Sequence, residues 1–199
     1  MSETLFGHYY PIVIDCETSG INPDQHALLE VACVILAPVD KKLQIIARET
    51  FHVLPFEGAQ FDPDSMKIHQ IDPHYPLRFA ESEKDVLIKL NAMIAPYIKG
   101  HYRRALLVGH NAWFDLAFLN KAYERQSVKS PFHRFTCMDT ATLSAFFLRE
   151  TVLAKALYRC RIAYDPKEAH SALYDAEKTA ELLALLWNNY QNKLTQLKA

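Results

Sequence analysis

An α/β fold, with a mixed sheet (an antiparallel meander joined to parallel strands) flanked by helices, is predicted by the order of apolar patterns along the 199 residues. Three apolar, β-branched runs at 9–15, 28–36 and 43–53 come first and are joined by short connections. From residue 82 onward the apolar spacing changes to a helical period, and brief apolar runs at 105–108 and 136–138 separate the helices. Strands joined closely pair antiparallel, whereas strands separated by helices can pair in parallel.

Each element has its own signal. The second and third strands are separated by the turn signal at 38–42, with Pro38, Asp40, Lys41 and Lys42. The segment 56–78, rich in Pro and Asp, reads as a loop holding a short helix. A helix over 82–98 opens with Ser82-x-x-Asp85 and places Val86, Leu87, Leu90, Ile94 and Ile98 on one face. Asn111 is positioned to cap a helix running to about residue 126, and helical stretches cover 140–160. The last helix, 171–194, carries Leu173, Ala176, Ala180, Leu183, Trp187 and Tyr190 along one side. No internal repeat or low-complexity segment interrupts this order, so residues 1–199 read as a single domain.

Composition narrows the class. Half the residues are apolar, and no apolar run has the length of a membrane span. The first nine residues lack the basic-then-apolar pattern of a signal peptide, which makes a cytoplasmic protein the expectation. Cys16, Cys33, Cys137 and Cys160 are scattered without metal-ligand spacing and read as incidental thiols. The formal net charge is −1, so nucleic acid would have to be held by clustered basic residues or by bound cations.

Four carboxylates and a histidine stand out by position. Asp15 and Glu17 end the first strand, and a period of two puts both side chains on one face, about 7 Å apart. Two divalent cations about 4 Å apart fit such a span. Asp115 lies one turn into the helix after 109–114, where an acid also suits the helix N-terminus, so it is not diagnostic alone. His170 and Asp175 are five residues apart, about 140° around a continuous helix. They converge only if His170 sits in the turn before the last helix while Asp175 projects from its second turn.

The order and spacing carry more than any one pair. Asp15-x-Glu17-Thr18 after a strand, His110-Asn111-x-x-Phe114-Asp115 in the middle and His170-x-Ala172-x-x-Asp175 opening a last helix resemble the three motifs of the DEDDh exonucleases, spanning nearly the whole chain. That family has a ribonuclease H-like fold. The resemblance implies that Asp15, Glu17, Asp115 and Asp175 hold two Mg²⁺ ions, for which Mn²⁺ can substitute, since hard oxygen ligands suit these metals. The ions would activate a water and stabilise the leaving 3′ oxygen, and His170 would take the water's proton as general base.

Further segments resemble one branch of that family, which trims the 3′ ends of tRNA and other stable RNAs, degrades single-stranded DNA as well, and works as a homodimer. They are Tyr10-Pro11-x-Val13-Ile14, Phe51-His52-Val53, Pro55-Phe56-x-Gly58-Ala59, Ile71-Asp72-Pro73, Pro131-Phe132-His133-x-Phe135 and Asp139-Thr140. The resemblance implies base stacking on Phe114 and Phe135, with Ile21 and Ile68 at two further positions where the branch has phenylalanine. It also implies a basic patch that serves the partner subunit's site, for which Lys99, Arg103, Arg104 and Lys129 are the candidates, with Arg125 nearby. The branch has further arginines before its first strand; residues 4–8 here contain none, so a weaker patch is expected.

Other readings stay open at this point. A proofreading subunit of a DNA polymerase or an oligoribonuclease would carry the same motifs, although residues 196–199 leave little for a polymerase-binding segment after the last helix. A non-catalytic nucleic-acid-binding protein of the same fold would be expected to lack at least one acid, and all four are present with His170.

Overall fold

Five strands build the sheet of the computed structural model, which describes residues 5–198, the side chains of 194, 195, 197 and 198 excepted. Residues 1–4 of the segment read as lacking a signal peptide and basic residues lie outside the described residues. The strands are β1 (Tyr9–Thr18), β2 (Leu28–Val39), β3 (Lys42–His52), β4 (Arg104–Gly109) and β5 (Phe132–Asp139), ordered β3-β2-β1-β4-β5. The β1–β2 and β2–β3 pairs are antiparallel, and the β1–β4 and β4–β5 pairs are parallel. The predicted mixed sheet is therefore present. The turn expected over 38–42 is tighter than that: Val39 pairs with Lys42, and only Asp40 and Lys41 turn, at φ 49° and 64°. Two left-handed residues give the hairpin twist that matches the strands.

The six α-helices among the described residues are α1 (Pro63–His69), α2 (Glu83–Ile94), α3 (Trp113–Arg125), α4 (Thr140–Leu148), α5 (Leu153–Cys160) and α6 (Ala172–Lys198). Ser82 caps α2, accepting from the Asp85 amide at 3.1 Å. The helix ends at Ile94 and tightens into a 3-10 turn through Pro96 rather than continuing to 98. The 140–160 stretch divides at Arg149, whose left-handed backbone closes α4. The fifth strand starts at Phe132, well before the 136–138 run.

Alternation along β1 assigns a side chain to each layer. Ile12, Ile14 and Cys16 pack with Val86, Leu87 and Leu90 of α2 and Leu116 and Leu119 of α3. Val13 faces the other way, onto Ala172, Ala176, Ala180 and Leu183 of α6. Small residues let α6 lie close on the sheet. Its predicted apolar side is narrower than expected: Tyr190 is exposed, while Leu182 joins Ala156 and Leu157 in a separate cluster. Among the described residues no helix is long and apolar enough to cross a membrane.

Candidate active site

The period of two continues past Val13 and puts Asp15 and Glu17 on the α6 side of β1 at its carboxyl end. Both are half-buried. Across the sheet, Glu17 pairs in register with Glu30 of β2, which adds a fifth acid beside the group.

Asp115 reaches the same strand end from α3, on the opposite layer, because β4 stops at Gly109. A Cβ at Gly109 would stand 3.1 Å from Asp115 Oδ2 and 3.2 Å from the Ile14 carbonyl oxygen, so glycine leaves the space that the carboxylate uses. Asp115 is 4 % exposed and accepts hydrogen bonds from its own amide and from the amide and thiol of Cys16.

Asn111 does not cap α3 as predicted. It takes a left-handed backbone at φ 66°, and the cap residue, Ala112, offers no side-chain bond. The carboxylate of Asp139 does this work from the end of β5. Its Oδ1 accepts from the amides of Asn111 at 2.8 Å, Ala112 at 3.4 Å and Ala141 at 3.1 Å, and its Oδ2 from Thr142 N at 3.1 Å. One side chain thus holds the starts of α3 and α4 together.

His170 lies in the turn before α6, as convergence requires, with φ 65°. Asp175 is in the first turn of α6, not the second. The His170 amide donates to Asp175 Oδ2 at 3.0 Å, and one ligand atom from each of Glu17, His170 and Asp175 lies within 4.8 Å of the others.

Electrostatics make this group of acids expensive as it stands. Burial, then Asp115, Glu17, Asp175 and Glu30, push the Asp15 carboxyl well above the usual range. Burial and the charges of Asp175, Glu30 and Asp115 push Glu17 up to about 8. Asp115 is pushed up to about 7 by burial, against the opposing pull of its hydrogen bonds. Asp175 is raised by burial, and its Oδ1 is buried with no hydrogen-bond partner. Crowded, desolvated carboxylates with an unpartnered oxygen suit divalent cations taken through hard oxygen ligands. The donor set therefore fits the metals that the motifs imply.

The surrounding positions divide. Phe135 is 82 %, Ile21 76 % and Ile68 55 % exposed, while Phe114 is half-buried with its ring 4.9 Å from that of Phe118. Lys99, Arg103, Arg104 and Lys129 are all exposed. Arg104 and Lys129 line a groove of about 470 Å³ that also includes Arg134 and Phe135. Arg125 is committed elsewhere: it pairs with the buried Glu83 at 2.7 Å and lies 3.9 Å over the Phe56 ring. Sequence reasoning gave no role to Glu30 or to the Asp139 carboxylate. The Asp139-x-x-Thr142 spacing was a legible capping signal for α4, but its reach to Asn111 was not.

The sequence model of the RNase_T exonuclease family matches residues 12–183, a span that contains Asp15, Glu17, Asp115, His170 and Asp175. The chain belongs to this family. As a member of the RNase_T family it is a metal-dependent 3′–5′ exonuclease, a hydrolase of phosphodiester bonds. It is similar to the ribonuclease T of Shewanella denitrificans, 45 % identical over 189 residues, covering 94 % of this chain and 84 % of that one. The ribonuclease T of an Enterobacter species is 45 % identical over 190 residues, with 94 % and 84 % covered. Among solved structures, the nuclease domain of 3′hExo, a DEDDh family member bound to rAMP, superposes with TM-score 0.73 at 20 % identity, covering 92 % of this chain and 94 % of that domain. Exonuclease I of E. coli in complex with a dT13 oligonucleotide gives 0.72 at 17 % identity, covering 95 % and 43 %. These distant likenesses bear on the fold, which is the ribonuclease H-like one expected.

Proposed function

We propose that this chain is an exoribonuclease that trims the 3′ ends of tRNA and other stable RNA precursors in the cytoplasm, with single-stranded DNA also within its range. In this reading residues 1–199 act as one exonuclease domain, and two such chains form the working homodimer. The observation that carries it is the convergence of Glu17, His170 and Asp175 within 4.8 Å, beside Asp15 and Asp115 at the same strand end. The ribonuclease T name of relatives at 45 % identity supports RNA as the substrate.

Asp15, Glu17, Asp115 and Asp175 would hold two Mg²⁺ ions, with Mn²⁺ as a substitute. Such ions supply a lowered water pKa and positive charge for the departing 3′ oxygen. The four acids fix where that charge sits, and their raised proton affinities fall away once cations bind. His170 is the exposed member of the group, so a ring nitrogen can accept a proton there and pass it to solvent. Its backbone amide bonds to Asp175, so the turn is fastened through the main chain rather than through the imidazole. Phe114, Phe135, Ile21 and Ile68 would contact the terminal bases, and Lys99, Arg103, Arg104 and Lys129 the phosphates of a strand entering the partner's site.

A panel of RNAs with short 3′ overhangs and varied terminal bases, run beside dinucleotides and mismatched DNA primers, tests the reading. Release of nucleoside 5′-monophosphates from the overhangs is expected to dominate. Preference for dinucleotides, or for the mismatched primer, would replace it with the oligoribonuclease or proofreading alternative. A light-scattering mass of one chain rather than two would remove the homodimer.

A further inference from the structure

The first turn of α3 carries a large exposed ring that the reading above does not use. Trp113 is 65 % exposed, two residues before Asp115. A tryptophan side chain can bury 150–250 Å² (about that range for aromatic residues), so leaving most of it in water forgoes a large gain.

Helical spacing and the contacts of α3 fix which way this ring faces. Phe114, Phe118 and Lys121 share one stripe of the helix, and Lys121 pairs with Asp24 of the Ile21 loop at 2.6 Å. Trp113, Ala117 and Asn120 form the next stripe, and Asn120 donates to the Arg134 carbonyl of β5 at 2.7 Å. At the other end of that margin, Asp139 of β5 accepts from the Asn111 and Ala112 amides. Trp113 therefore lies on the stripe of α3 that faces β5, and Phe114 on the stripe that faces the Ile21 loop. The two neighbouring rings meet edge to face, 6.0 Å between centroids and 89° between planes, so the Trp113 indole stands directly beside the Phe114 ring.

We infer that Trp113 is a further base-stacking residue, on the Phe135 side of the site, for a single-stranded 3′ end. The inference rests on the exonuclease reading of the same site. It adds a second strongly exposed ring to Phe135 on this side, where Ile21 and Ile68 have no ring to offer beside Phe114. An indole face accepts any base, which suits a strand drawn through one nucleotide at a time.

The chain has two tryptophans, Trp113 and Trp187, and Trp187 packs on Phe6 at 4.6 Å. The Trp187→Phe variant makes the indole of Trp113 the sole fluorescent one. Titrating it with a short single-stranded RNA bearing a non-hydrolysable 3′-terminal linkage is expected to quench its emission saturably. In steady state on the cleavable RNA, Trp113→Ala is expected to raise KM/kcat by about 5- to 150-fold, mostly through KM, the range that loss of one base stack produces. Trp113→Phe should recover most of it. Binding detected by anisotropy of a labelled RNA without any change in Trp113 emission, or an unaltered KM in Trp113→Ala, would overturn the inference alone. Absence of binding and cleavage by the unaltered chain would overturn the exonuclease reading with it.

Discussion

The backbone amide of His170 donates a 3.0 Å hydrogen bond to Oδ2 of Asp175, so the turn before α6 is fastened by one of the acids it stands beside. The fastening runs through the main chain and does not use the imidazole. His170→Ala is therefore expected to cut turnover by about 10²- to 10⁴-fold, the usual contribution of a general base. A Mn²⁺ titration should give nearly the same affinity as the unaltered chain. Loss of metal binding together with turnover would make His170 structural.

The crowding of acids makes metal-free stability depend on pH in a stated direction. Glu17 and Asp115 have ordinary values of 4.5 and 3.8 and are raised on folding to about 8 and about 7. Between these limits the folded state holds more protons than the unfolded one, so stability is fullest below about pH 4 and is lost as pH rises towards 8. In EDTA the melting temperature should fall over that window. Mn²⁺ should restore it, with a larger gain at pH 8 than at pH 5. A melting temperature that rises with pH in EDTA would contradict the electrostatic account.

Neutralising one acid should relieve the same repulsion. Asp15→Asn is expected to raise the metal-free melting temperature at pH 8, by about 2–4 °C for each kcal/mol relieved in a chain of this size. Differential scanning calorimetry at pH 5 and pH 8 checks it, since the gain should shrink at the lower pH. Destabilisation at both would mean that Asp15 makes a bond stronger than the repulsion it suffers.

Asp139 holds two helix starts with one carboxylate. Removing a single helix cap costs about 0.5–2 kcal/mol, so Asp139→Ala should cost up to about twice that. Because the Asn111–Ala112 turn leads directly to Asp115, turnover should fall as well at temperatures where the variant remains folded. Asp139→Asn, which keeps one acceptor, should recover part of both. Thermal unfolding monitored by circular dichroism, beside turnover at 20 °C, is the measurement; unchanged turnover in a destabilised Asp139→Ala would confine this residue to folding.

Ile21 and Ile68 are 76 % and 55 % exposed, so larger side chains meet solvent rather than core there. Ile21→Phe and Ile68→Phe are each expected to lower KM for single-stranded RNA by about 5-fold or more, at the low end of a base stack. Steady-state kinetics on substrates with different 3′ bases would read the gain. No change in either variant would place the terminal bases elsewhere.

Much of this was legible because the relevant signals are local. The β-branched runs gave β1 to β3, and the Ser82 and Asp85 pair marked the start of α2. Asp15 and Glu17 share a face by strand geometry alone. Relations that depend on register or on the end of a neighbouring strand were not legible. Glu30 joins the acids only because β2 pairs it with Glu17. Gly109 makes room for Asp115 only because β4 stops beside Ile14. Asn111 is a favourable cap by residue type, yet its left-handed backbone hands the capping to Asp139, distant in sequence. Arg125 had the charge for a phosphate contact, and the buried Glu83 claims it.

Asp15, Glu17, Asp115 and Asp175 are proposed to act as one cation-holding set served by His170. The most direct test is Mg²⁺-dependent release of nucleoside 5′-monophosphate from 3′-labelled RNA by the unaltered chain and by Asp15→Asn. Release by the first and near-complete loss by the second are expected, with the fold intact by circular dichroism. Equal release by both would contradict the proposal.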